Sequence, residues 1–402
     1  AMENTTATIH FGALQHDDRE HLDETHEDII AHELFHHWFG DLVTCESWAN
    51  LPLNESFATY GEYLWNEHKY GKAEADKHLD GDLQQYMAES QQKREPLIRY
   101  YYLRREDMFD GHSNQKGGRV LHMLRNVVGD DAFFAAIKLY LERNKFSDVE
   151  IAELRMAFED VTGKDLMWFF DQWFMKAGHP EISVSHEYAS GSLKLNIRQT
   201  QDLRYMPVYR IPTKVGITTA SGTKQFPIEF WTKDTTITLA VDSEPLNVDF
   251  DSDKVILGRI NQEKPRDMWL SQLKTAKHYK AKQIAINKLK PDLDNAEIKA
   301  AILKLTDDDF WATKVDAINA LKTATSISDQ PVIDKLKSLV EKDKKARVRS
   351  EALDLLTELL PPAGEGGAEG ETYRAFLKPV LQNALKDSSY TVMSTAMVAY
   401  TQ

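Results

Sequence analysis

One cysteine, Cys45, stands in 402 residues, which excludes an internal disulfide and any zinc ribbon built on paired thiolates. Nor is there an uninterrupted apolar run of the roughly 18 residues that a membrane-spanning helix needs, so no membrane insertion is expected. Basic residues are in deficit: 49 Lys and Arg face 63 Asp and Glu, for a net charge of -14. Nucleic acid is therefore not an expected partner, because no positive footprint for a polyanion exists. A soluble chain without disulfides suits the cytoplasm and the periplasm equally. What is present is ordinary for globular domains, with 42% hydrophobic and 28% charged residues. The length exceeds what a single core usually supports, which predicts several domains. The opening at Ala1 and the ending in a helical pattern at Gln402 read as a piece of something longer.

Histidines concentrate early: of 14, only His179, His186 and His278 lie beyond residue 123. Apolar residues at three-to-four spacing predict helices over 25–40, 54–70, 117–128, 130–144 and 148–158. The Gly178-His179-Pro180 break ends this mostly helical region, giving a first domain over 1–178. Alternation then takes over at Leu193, Leu195 and Ile197, at Phe226, Ile228 and Phe230, and at Ile237, Leu239 and Val241, with turn signals at Ser190-Gly191 and Ser221-Gly222. This predicts a small antiparallel β-sandwich over 179–260. From 261 to 402 the pattern is helical again and carries a weak repeat: Ala285-Ile286-Asn287-Lys288-Leu289-Lys290 returns as Ala317-Ile318-Asn319-Ala320-Leu321-Lys322, and more loosely at Ala352-Leu353-Asp354-Leu355-Leu356. A period in the thirties suits a HEAT-like α-solenoid of paired helices. The fold class expected is multidomain α+β.

His32-Glu33-Leu34-Phe35-His36 places two imidazoles one helical turn apart on one face, within reach of a single ion. Glu55, opening a second helix of similar register, supplies a third ligand and leaves a fourth position for water. Glu33, about 100° around the helix from His32, faces the site without ligating and is the candidate general base. Glu62, two turns beyond Glu55 on the same face, is a candidate to hold a ligand histidine by its N–H. One Zn²⁺ per chain is the expected cofactor.

These residues closely resemble the aminopeptidase N family of zinc metallopeptidases, the gluzincin aminopeptidases. The likeness runs from His32 to Thr44, through Trp48, and over Leu53-Asn54-Glu55-Ser56-Phe57-Ala58-Thr59-Tyr60, with an eighteen-residue gap between His36 and Glu55. Ala1-Met2-Glu3-Asn4 is similar to the family's exopeptidase motif without its first glycine. The resemblance implies that Glu3 binds the substrate's free α-amino group, so that peptides with a free N-terminus are the partners. It further implies a thermolysin-like fold for 1–178 and a chain lacking the family's N-terminal domain. Oligomeric state and side-chain preference are not readable.

One position departs from the family. Where its members carry a tyrosine before Lys-Gly, with a hydroxyl that stabilises the oxyanion, this chain reads His112-Ser113-Asn114-Gln115-Lys116-Gly117. The resemblance thus makes Asn114 a catalytic position with a shorter donor, and impaired turnover is expected unless Tyr100, Tyr101 or Tyr102 takes the role. Zinc-dependent aminopeptidase is the leading function. A zinc endopeptidase and a catalytically weak binding protein are the alternatives.

Overall fold

Most of the helices that apolar periodicity predicts are present in the computed structural model, which describes residues 3–362 and 365–400. The described chain is mixed α+β and divides into two units. The first comprises Ala1–His10 and Glu27–Pro265, and the second Phe11–His26 and Arg266–Gln402.

In the first unit, helix α1 (Glu27–Phe35) and strand β1 (Val43–Cys45) lead to α2 (Pro52–Tyr70) and α3 (Lys72–Glu89). A single π-helical turn, His112–Lys116, runs directly into α4 (Gly117–Val128), followed by α5 (Asp130–Asn144), strand β2 (Ser147–Val149), α6 (Ile151–Thr162) and α7 (Met167–Trp173). Three features depart from the pattern reading. The helix expected over 25–40 stops at Phe35, because the next residues turn back so that the Asp41 amide reaches the His36 carbonyl. Helix α3 was not foreseen: its Lys, Asp, Glu and Gln content masks a thin apolar stripe, Ala75, Leu79 and Tyr86. The parallel pair β1 and β2, Val43 opposite Ser147, joins segments too short and too distant for alternation to show.

Two small sheets follow. One has the order β7-β4-β3-β9 and the other β6-β5-β8, from β3 (Glu181–Ala189), β4 (Ser192–Gln199), β5 (Ile211–Thr219), β6 (Gly222–Phe230), β7 (Asp234–Ala240), β8 (Asn247–Phe250) and β9 (Arg259–Gln262). The Ser190-Gly191 signal is the turn of the β3–β4 hairpin, with positive φ at both residues, 48° and 81°. That pairing matches the right-handed twist of the flanking strands. The alternating residues Leu193, Leu195 and Ile197 turn into the same apolar core that holds Phe57, Leu124 and Trp173.

The second unit is built from α8 (Arg266–Thr275), α9 (Tyr279–Leu289), α10 (Ala296–Lys304), α11 (Trp311–Leu321), α12 (Gln330–Lys342), α13 (Ala346–Glu358), α14 (Gly367–Ala384) and α15 (Tyr390–Tyr400). The repeated sequence falls on alternate helices. Ala285, Ile286 and Leu289 of α9, Ala317, Ile318 and Leu321 of α11, and Ala352, Leu353 and Leu356 of α13 occupy equivalent buried positions.

A polar repeat accompanies it. Lys282 pairs with Asp308 at 2.5 Å, Lys314 with Asp343 at 2.7 Å and Arg349 with Asp387 at 2.7 Å. Each aspartate also accepts from the backbone N–H two residues on, at Phe310, Lys345 and Ser389. One side chain thus holds the residue just before a helix and ties that junction to a basic residue of another helix. Phe11–His26 groups with this unit through Arg19, which donates to the carbonyls of Ser388 and Asp387 and lies 4.2 Å over the Tyr390 ring.

Asp343→Ala removes both the acceptor of the Lys345 N–H and the partner of a partly buried lysine. The expected loss is about 1–3 kcal/mol, read as a lower urea midpoint at unchanged slope. A loss below about 0.5 kcal/mol, the level of an exposed pair, would contradict the structural weight given to this contact.

Candidate metal centre

Helices α1 and α2 approach closely because position 61 is glycine: a Cβ there would sit 2.4 Å from Cγ of the Phe35 ring. This seats the His32–His36 segment over the first two turns of α2. Pro52 at the start of α2 has its φ preset for a helical first turn, and Glu55 follows in that turn.

Glu55 Oε2 lies 3.3 Å from His32 Nε2 and 3.8 Å from His36 Nε2, and the three ligand atoms fall within 4.8 Å of one another. Ligands about 2.0–2.1 Å from a tetrahedral zinc would be separated by about 3.3–3.4 Å. The spacing therefore suits one small cation. The remaining ring nitrogens are engaged. His32 Nδ1 is 2.7 Å from Glu62 Oε1, and His36 Nδ1 is 3.1 Å from the Phe39 carbonyl. An Nδ1–H given to an oxygen leaves the Nε2 lone pair for an ion.

The electrostatics ask for positive charge. Burial disfavours charge on His32, yet Glu55 and Glu62 outweigh it and raise its pKa to about 10. Burial raises Glu55, but His32, His36 and Asn114 more than offset this and hold it below the usual carboxylate range. A divalent cation would take the place of the His32 proton. The donor set, two imidazoles and a carboxylate, is one that zinc accepts.

Glu3, brought near by Asn54 and Gly40, is buried. Its Oε1 accepts from Asn54 Nδ2 and lies 3.3 Å from His36 Nδ1, the nitrogen opposite the one facing Glu55. Burial, reinforced by Glu55, pushes the Glu3 carboxyl up to about 7. Glu33, half-buried on α1, contributes to that shift by its charge. Glu62 is a near neighbour of His32, as its helical phase suggests.

Asn114 sits in the π-helical turn, closed by the Lys116 amide to the Gly111 carbonyl at 2.8 Å. Its Nδ2 donates to Glu55 Oε2 at 2.9 Å. The turn lies tight on α2: Ser56 Oγ donates to the Ser113 carbonyl, and a Cβ on Gly117 would fall 1.8 Å from that Oγ. Of the three tyrosines weighed as substitutes, Tyr100 points its hydroxyl at Glu150 and Tyr101 is 99% exposed. The sequence reading missed His78, on the unforeseen helix α3. Its Nε2 lies 2.9 Å from the second oxygen of Glu62. An acid four residues on, Asp82, was the available signal.

Residues 1–173 match the peptidase family M1 domain. That match spans 173 of the 402 residues. Curated proteins similar to this chain include the "Probable aminopeptidase 1" of Sulfurisphaera tokodaii, 29% identical over 63% of this chain and 31% of that protein. Aminopeptidase N of Lactococcus lactis is 33% identical over 42% of this chain and 21% of its own length. The chain spans less than a third of the length of these relatives. A crystal structure of Legionella pneumophila aminopeptidase A in complex with aspartic acid shares the fold, with a TM-score of 0.70 and 17% identity, covering 93% of this chain and 48% of that one.

Beside the site, Lys116 is fully buried and its Nζ has no hydrogen-bond partner among the described residues. Burial, with Arg99 adding to it, brings its pKa down to about 7. The unfolded chain, near the ordinary value of about 10.4, then binds the extra proton between the two values. Stability contributed by this residue is expected to rise by a few kcal/mol from pH 7 to about pH 10. Lys116→Met should flatten that rise in urea unfolding, and an unchanged difference between pH 7 and pH 10 would disprove the assignment.

Proposed function

We propose that this chain carries the catalytic centre of a zinc-dependent aminopeptidase, which hydrolyses the N-terminal residue from peptides with a free amine. The observation that carries the reading is Glu55 Oε2 facing both Nε2 atoms while each Nδ1 is tied to an oxygen, within an M1 domain. His32, His36 and Glu55 would hold one Zn²⁺. When bound, zinc supplies Lewis acidity to a carbonyl oxygen and to water.

Glu33 takes the proton of the attacking water and later delivers it to the leaving amine. Glu62 keeps His32 oriented by its Nδ1–H. Glu3 is read as the anchor for the substrate ammonium, which sets the distance from N-terminus to scissile bond. In this conformation its carboxylate rests on Asn54 and beside His36, so binding substrate exchanges those contacts for the ammonium. In domain terms, 1–178 is read as thermolysin-like, 179–260 as a β-sandwich and 261–402 as a HEAT-like solenoid. Equivalent buried triplets and the repeated basic–aspartate pairs support the last.

Both named curated relatives carry the name aminopeptidase, which disfavours the endopeptidase alternative. Substrates with an acetylated amine should be cut at least 100-fold more slowly than free ones, and Glu3→Gln should raise KM with little change in zinc content. Equal rates on blocked and free peptides would refute the exopeptidase reading. A Glu3→Gln variant that loses zinc would instead assign Glu3 to holding His36.

Asn114 stands where a donor to the oxyanion is expected, yet it is spent on Glu55. Loss of one such donor costs 10²- to 10³-fold in rate. Asn114→Tyr should therefore raise kcat by that order while zinc stoichiometry stays at one. A variant with unchanged kcat would defeat the account.

A further inference from the structure

Behind the ligand pair lies a second row of charged groups. Glu62 uses one oxygen on His32 Nδ1, at 2.7 Å, and offers the other to His78 Nε2, at 2.9 Å. His78 stands on α3, its ring 20% exposed, with Asp82 Oδ2 4.0 Å from the same Nε2 and Asp28 Oδ2 3.9 Å from Nδ1. Three helices thus contribute to one line of groups that ends on a proposed metal ligand: Asp82 and His78 from α3, Glu62 from α2, His32 from α1.

The charges need this arrangement. A ligand histidine is neutral, so once His32 holds a cation through Nε2, Glu62 keeps its negative charge with only an N–H to answer it. Buried carboxylates are held by a partner charge or become neutral. Asp82 is nearly inaccessible, and its Oδ2 lacks a hydrogen-bond partner among the described residues. His78 is the cation placed between these acids: burial opposes its charge, but Glu62, Asp82 and Asp28 outweigh burial and raise it to about 9. His78 Nε2 makes no well-aligned hydrogen bond among the described residues, but its 2.9 Å contact restrains the second oxygen of Glu62.

We propose that His78 is a positioning residue of the metal centre: it holds the Glu62 carboxylate in the orientation that turns His32 Nε2 toward Glu55. It touches neither the ion nor the substrate. The inference rests on the zinc site proposed above.

The test reads the metal rather than turnover. Zinc affinity is measured by chelator competition, and the visible spectrum is recorded with Co²⁺ in place of zinc, for the full chain, His78→Ala and His78→Gln. His78→Ala should weaken zinc binding 10- to 100-fold, the usual effect of losing a partner behind a ligand. It should also shift the Co²⁺ bands, which a loss of stability alone would not do. His78→Gln, whose amide can donate to Glu62, should recover most of the affinity.

In the double variant His78→Ala/Glu62→Gln the loss should be no larger than in Glu62→Gln alone, because both act through one carboxylate. Additive losses overturn the proposal, as does zinc affinity in His78→Ala within twofold of the unaltered chain. Two zinc ions per chain, one of them lost in His78→Ala, overturn it too, since Glu62 and His78 would then be ligands. Absence of stoichiometric zinc from the unaltered chain removes the zinc reading itself, and this proposal with it.

Discussion

Two carboxylates on one face of α2 engage opposite nitrogens of a single imidazole, and the arrangement of the centre depends on that grip. Glu55 approaches Nε2 of His32 while Glu62 holds Nδ1. The ring is fixed in plane before any ion arrives. This is possible only because α1 and α2 lie unusually close, with the Phe35 ring filling the space where a Cβ of residue 61 would be. A larger residue at 61 would push apart the helices that carry the ligands, at a cost typical of overpacking, about 1–3 kcal/mol.

The same economy of space governs the π-helical turn. Ser56, the neighbour of Glu55, donates to the Ser113 carbonyl and leaves no room for a side chain at Gly117. The turn that bears Asn114 is consequently bound to the helix that bears Glu55. That closeness explains how a short amide at 114 comes to rest on the carboxylate. π-Turns are rare and gather at functional sites. Here the wider turn is fixed by its neighbours, which makes the identity of residue 114 a local choice within a fixed frame.

In the helical unit, order comes from repetition. Lys282, Lys314 and Arg349 each pair with an aspartate that also accepts from the backbone N–H just before the following helix. The apolar triplets alone would allow neighbouring helices to slide. A partly buried ion pair fixed by a backbone hydrogen bond limits that freedom, because displacing it strands a charge.

The grouping of His32, His36 and Glu55 was legible in the sequence, since helical spacing puts His32 and His36 on one face and Glu55 opens the next apolar helix. The hairpin turn at Ser190-Gly191 and the positions of the buried triplets were legible for the same reason: they depend on local backbone geometry and on a period. Helix α3 was not, because its apolar stripe is thin. With it went His78 and Asp82, whose roles depend on a neighbour two helices away. The parallel pairing of Val43 with Ser147 was hidden by sequence separation. Residue types and their short-range spacing determined which chemistry this chain can carry. Tertiary packing alone decided which oxygen faces which nitrogen, that Asn114 rests on Glu55 and that Lys116 Nζ is buried over the Tyr86 ring with no hydrogen bond among the described residues, because those relations arise from distances between segments that no local period encodes.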